Sequence, residues 1–129
     1  MNDLNNLNNT PDSTANFDPK DIEENKVMAL LSYIGFLFLV PMLAKKESPY
    51  AQFHAKQGAN LFILEIIVSV VFFILGLILG GIPVIGTIIS IISWLASLCL
   101  GILAILGIVN AVTGKAKELP LIGSIKIIK

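Results

Sequence analysis

Two ionisable side chains stand inside or beside a long uncharged stretch, and they are the first candidates for chemistry. Glu65 interrupts the apolar run that follows Gly58, and His54 precedes that run as the single histidine of the chain. A carboxylate in hydrocarbon is costly unless it is protonated, paired or near water. On a helix Glu65 falls about 20° from His54 around the axis and roughly 16 Å along it. Gly58, Ser69 and Gly76 share that stripe. One reading is a proton- or ion-handling acid, or the lining of a polar path. The other is a packing face whose acid reaches interfacial water or a Ser or Asn partner.

Other chemistry lacks its residues. One histidine and one cysteine, Cys99, cannot build a metal site of several ligands. No cofactor and no metal is therefore expected. His54 has no nucleophile to activate, and there is no nucleophile elbow, catalytic carboxylate pair or zinc motif. The stretch 109–115 falls short of a phosphate loop, because Val109 stands for the first Gly and Ala116 follows Lys115 where Ser or Thr is needed. These gaps predict a non-enzyme. The net charge is +0 and no arginine is present, which argues against a nucleic-acid partner.

The elements that position these residues are set by hydropathy. Of the 129 residues 55% are hydrophobic and 14% charged. A soluble domain of this size leaves too much surface in water to hide that composition. The expected fold class is all-α, an integral membrane three-helix bundle with spans near 27–44, 58–79 and 84–112. Residues 18–129 form the membrane domain. Residues 1–17, rich in asparagine, are expected to be a disordered tail. No basic flank of a secretory signal precedes the first run, and Ala44 is a poor cleavage site.

Local signals punctuate the runs. Asp18-Pro19 starts a helix, with Asp21 placed as a capping-box acid, and that helix should run straight into the first span. Pro41 lies in the last turn of that span. Ser48-Pro49 starts a second helix whose first turns lie at the interface. No charge occurs over 66–114, and Gly80-Gly81-Ile82-Pro83 divides that stretch into two helices joined by a tight hairpin. Gly86, Ser90, Ser93, Ser97 and Gly101 make a small-residue stripe on the last helix, matched by Gly76 and Gly80. Asn110 could pair with Gln57 or Asn60. Gly114 and Lys115 end the helix as a C-cap and a dipole-matched cation. Residues 119–129 read as an interfacial segment.

Three crossings put Lys45, Lys46 and Lys56 on one face with Lys115, Lys117, Lys126 and Lys129. The positive-inside rule then predicts a multi-pass protein of the cell membrane, with its N-terminus outside and C-terminus cytoplasmic. Its partners are the lipid bilayer and, through the small-residue faces, further copies or other membrane proteins.

Phe53-His54-Ala55-Lys56-Gln57, then Asn110-Ala111-Val112-Thr113-Gly114-Lys115 and Leu119-Pro120-Leu121-Ile122-Gly123, with Glu24-Asn25-Lys26 before the first run, form a recognisable set. The chain resembles, over about 21–125, a widespread family of small prokaryotic membrane proteins of unknown function. That family is distantly similar to the Tic-twenty component of the chloroplast inner-envelope import channel. The resemblance singles out His54, Gln57, Gly114, Lys115, Pro120 and Gly123, without a catalytic role. It implies the fold more than translocation, since the import component has four spans. Two functions follow as expectations: an assembly or translocon-like component, or an oligomeric small channel or transporter using Glu65.

Overall fold

The computed structural model describes residues 10–120. Helices α1 (Pro19–Glu24), α2 (Lys26–Leu31), α3 (Leu39–Ala44), α4 (Pro49–Leu79) and α5 (Pro83–Val112) account for most of them. The result is an all-helical membrane bundle of two long apolar helices and a shorter, broken apolar segment.

The long helices obey their local signals. Ser48 Oγ accepts Ala51 N at 3.1 Å and Pro49 opens α4. Pro83 opens α5 beyond a hairpin at Gly80 to Ile82, which Ile82 N closes on the Leu79 carbonyl at 3.1 Å. At the far end Gly114 takes φ +77 while Lys115 N reaches back to the Asn110 carbonyl at 2.8 Å. That is the left-handed glycine stop expected there.

The first apolar run differs from the continuous helix expected over 27–44. It comprises α2, a 3-10 turn at Gly35–Phe38 and α3, and Asn25 separates it from α1. The turn depends on Gly35, whose φ of +50 is a left-handed conformation that side chains with a Cβ rarely adopt. The segment then folds back on itself. Asp21 meets Ser48 and Tyr50 at the start of α4, and Phe38 packs on Phe62 further along. Gln52 Nε2 then donates to the Pro41, Met42 and Lys45 carbonyls at 3.0–3.2 Å. The chain therefore descends about 18 Å along α4 and returns to the level where it began.

Burial divides the bundle into two halves. The buried residues of α4 run from Tyr50 to Leu61 and those of α5 from Leu103 to Ala111. Ile22, Ala29, Tyr33, Ala116 and Leu119 complete this core. Gly58 and Gly107 make it close: a Cβ at Gly58 would lie 1.8 Å from the Ser32 carbonyl oxygen, and one at Gly107 2.4 Å from the Tyr33 ring. Beyond it, 62–79 and 83–102 are a bare helical hairpin, with Phe73, Leu77, Val84 and Trp94 all more than 60% exposed. These stretches are ~27 and ~30 Å long, each about one hydrocarbon thickness.

Two further expectations concern the terminal segments. Residues 10–17, taken as part of a disordered tail, pair with the C-terminal segment: Ser13 N donates to the Ala116 carbonyl at 2.9 Å and Glu118 N to that of Pro11 at 3.1 Å. That contact also places the N-terminal segment beside 113–119, at the same end of the bundle. The expectation of opposite faces for the two termini rests on a first run that crosses the bilayer. Residues 1–9 and 121–129, including Gly123, lie outside the described residues.

Candidate functional site

Most of the residues singled out in sequence converge on one buried polar network in the capped half. His54 is fully buried on α4. Its Nε2 lies 3.0 Å from the Lys115 carbonyl, which can only accept, so Nε2 carries the proton. In the neutral ring Nδ1 is then an acceptor, and the Tyr33 hydroxyl donates to it at 2.5 Å. Gln57 Nε2 donates to Tyr33 Oη at 2.7 Å and to the Lys117 carbonyl at 3.1 Å. Gln57 Oε1 accepts Leu119 N at 2.8 Å. Burial holds the His54 imidazole well below its usual range, at about 4. Tyr50 and Phe53 stack edge-on against it.

The two sequence motifs are thus two sides of one joint. His54 and Gln57 offer side chains, and 115–119 offers backbone. Lys115 contributes its carbonyl and not its ammonium, while Gly114 shapes the turn that presents it. Pro120 is buried beside this segment. Asn110 is buried one turn earlier on α5, where the Tyr50 hydroxyl donates to the Ala111 carbonyl at 2.8 Å. Gln57, one of its two expected partners, is committed to Tyr33 and the C-terminal segment.

Asp21 builds a second joint. Its Oδ1 accepts Ser48 Oγ at 2.6 Å and Asn25 Nδ2 at 2.9 Å, and its Oδ2 accepts Tyr50 N at 2.9 Å. It satisfies α4 and not its own helix, whose cap is Asp18 accepting Lys20 N at 3.1 Å. Tyr33, Asp21 and Gln52 carry the capped half; in sequence Asp21 reads only as a capping-box acid of its own helix, and Tyr33 and Gln52 carry no mark. Asp21 and Gln52 act on partners that no local pattern reveals. Tyr33 looks like any aromatic in an apolar run.

Glu65 stands apart. It lies beyond the last buried residue of α4, between two clefts. One is a tight space against Tyr33, Gly35, Gly58 and Phe62, and the other opens between α4 and α5 beside Ser69, Ser97 and Gly101. It makes no hydrogen bond or ion pair among the described residues. No proton relay runs from His54 to Glu65, because both His54 nitrogens are engaged elsewhere.

No group of three or more His, Cys, Asp or Glu side chains that could hold a metal occurs among the described residues. The arrangement can therefore clamp helices and termini together. Both ring nitrogens of its histidine are engaged within it.

Comparison with known proteins fits a small prokaryotic membrane protein. Over 41 residues the chain is 44% identical to the magnetosome protein MamF of Paramagnetospirillum magneticum (strain ATCC 700264 / AMB-1), a stretch covering 32% of this chain and 37% of that one. The chain thus spans little more than a third of this curated relative's length. No solved structure matches. These likenesses are to magnetosome proteins and lend no support to the Tic-twenty resemblance. Residues 24–128 match the model of the MamF/MmsF magnetosome magnetite crystal formation family, and to that family the chain belongs.

Proposed function

We propose that this protein is a non-enzymatic assembly component of a membrane: a lipid-embedded helical hairpin carrying a rigid polar cap at one end. The observation that carries this reading is the commitment of His54. Its two ring nitrogens are held by Tyr33 and Lys115 in a fully buried site, so the chain's one candidate base serves structure. The small-residue faces of the bare hairpin favour close approach of another membrane helix.

The topology follows from the fold-back. We assign two crossings, α4 and α5, with the broken first run entering and leaving from the capped face. Every lysine of the described residues, Lys20, Lys26, Lys45, Lys46, Lys56, Lys115 and Lys117, belongs to the capped half or its rim, and the hairpin tip carries none. The positive-inside rule places that face in the cytoplasm, together with both terminal segments.

The family description brings in magnetite crystal formation. In this chain such a role would run through assembly, since the hairpin tip carries no carboxylate to meet a mineral. The test is cross-linking in native membranes, followed by purification in mild detergent. Discrete cross-linked species support the reading, and a strictly monomeric protein without partners counts against it.

A further inference from the structure

We propose that the cleft beside Glu65 is a binding site for a small monovalent cation, sodium in competition with the proton. Its oxygen donors would be the Glu65 carboxylate and the Ser69 and Ser97 hydroxyls.

The cleft is a cavity of about 260 Å³ between the long helices, lined by Glu65, Val68 and Ser69 on α4 and by Ser97, Leu100 and Gly101 on α5. A water occupies roughly 30 Å³ in the liquid, so an ion with residual hydration fits. Gly101 helps keep the space open, since nothing lies within 4 Å of where its Cβ would be.

The donors are uncommitted. Thr87 and Thr113 bond back to the Pro83 and Val109 carbonyls of their own helix, at 2.9 and 2.6 Å. The hydroxyls of Ser69 and Ser97, both exposed residues, make no hydrogen bond among the described residues, and neither does the Glu65 carboxylate. Carboxylate and hydroxyl oxygens suit hard cations.

Charge decides the valence. Among the described residues Glu65 is the one ionisable side chain lining this cleft. On its other side Tyr33 is the one further titratable group among the described residues lining the tight space, and its hydroxyl is taken up by His54 and Gln57. One positive charge makes a neutral site. A divalent ion would leave an uncompensated charge in hydrocarbon, which is strongly unfavourable. Among the described residues no lysine lines either space beside Glu65.

The experiment uses the full chain in proteoliposomes and a hydrophobic carbodiimide, which modifies protonated carboxyl groups within the membrane. The adduct is located by mass spectrometry. Labelling of Glu65 should slow several-fold when choline chloride is replaced by sodium chloride at constant pH and ionic strength. Glu65→Gln should remove the adduct while keeping its helical circular dichroism. Ser69→Ala with Ser97→Ala should label as the wild type does in choline but lose the protection by sodium. Equal rates in sodium and choline would overturn the proposal. So would the absence of any Glu65 adduct in choline, or protection that persists without the two hydroxyls.

Discussion

Asp21 and the backbone amide of Tyr50, 29 positions apart in sequence, meet at 2.9 Å. The contact fixes the beginning and the end of the first apolar run at one level of the bundle. It also supplies a carboxylate to the N-terminus of α4, where unpaired amides and the helix dipole favour negative charge. Replacing Asp21 with Ala leaves Tyr50 N and Ser48 Oγ without their acceptor. We expect a loss of about 1–3 kcal/mol. Thermal unfolding in detergent should record it, and proteolysis near residues 45–48 should quicken.

Gly58 and Gly76 lie on the same helix and should respond oppositely to one methyl group. At Gly58 the new Cβ falls 1.8 Å from the Ser32 carbonyl oxygen and 2.6 Å from its carbon, so backbone must move. Gly58→Ala should destabilise the cap by about 1–3 kcal/mol or more. At Gly76 nothing lies within 4 Å. Gly76→Ala should leave the melting temperature unchanged or raise it, by helix propensity of up to about 1 kcal/mol.

Tyr33→Phe removes one hydroxyl and disturbs two partners. His54 Nδ1 loses its donor in a fully buried site, and Gln57 keeps only its contacts to the C-terminal segment. Leaving a buried acceptor unpaired costs about 1–3 kcal/mol. Hydrogen exchange should then accelerate at Leu119 and the amides beside it, since Gln57 Oε1 holds Leu119 N.

His54 should make the cap sensitive to acid. Its folded-state value, about 4, lies below the ordinary 6.5 because burial disfavours the charged ring. The unfolded state binds the proton first, so this contribution is complete above about 6.5 and is lost as pH falls toward 4. Unfolding curves between these values should show the decline, and His54→Gln should flatten it.

Much of this arrangement is legible in the residues. The Ser48-Pro49 and Asp18-Pro19 starts, the Gly80 to Pro83 hairpin and the Gly114 stop are local, and local chemistry predicts them. The break at Ser32 to Gly35 is not. Val27 to Ala44 is apolar throughout, and hydropathy carries no sign of where such a run turns; a single left-handed glycine decides it. The polar network is half legible. His54 and Gln57 stand out as polar residues entering an apolar helix, but their partners are a tyrosine in another run and backbone carbonyls, which have no residue signature. Asp21 was readable as a capping residue, yet it caps a different helix.

The fold-back is the central claim, and cysteine accessibility in intact spheroplasts tests it most directly. In a Cys99→Ser background, Lys20→Cys, Lys46→Cys and Ile82→Cys are treated with a membrane-impermeant maleimide before and after permeabilisation. Two crossings predict that Ile82→Cys reacts in intact cells, while Lys20→Cys and Lys46→Cys both react only after permeabilisation. Reaction of Lys20→Cys from outside, with Lys46→Cys still protected, would mean that the first run crosses the bilayer and would contradict the account.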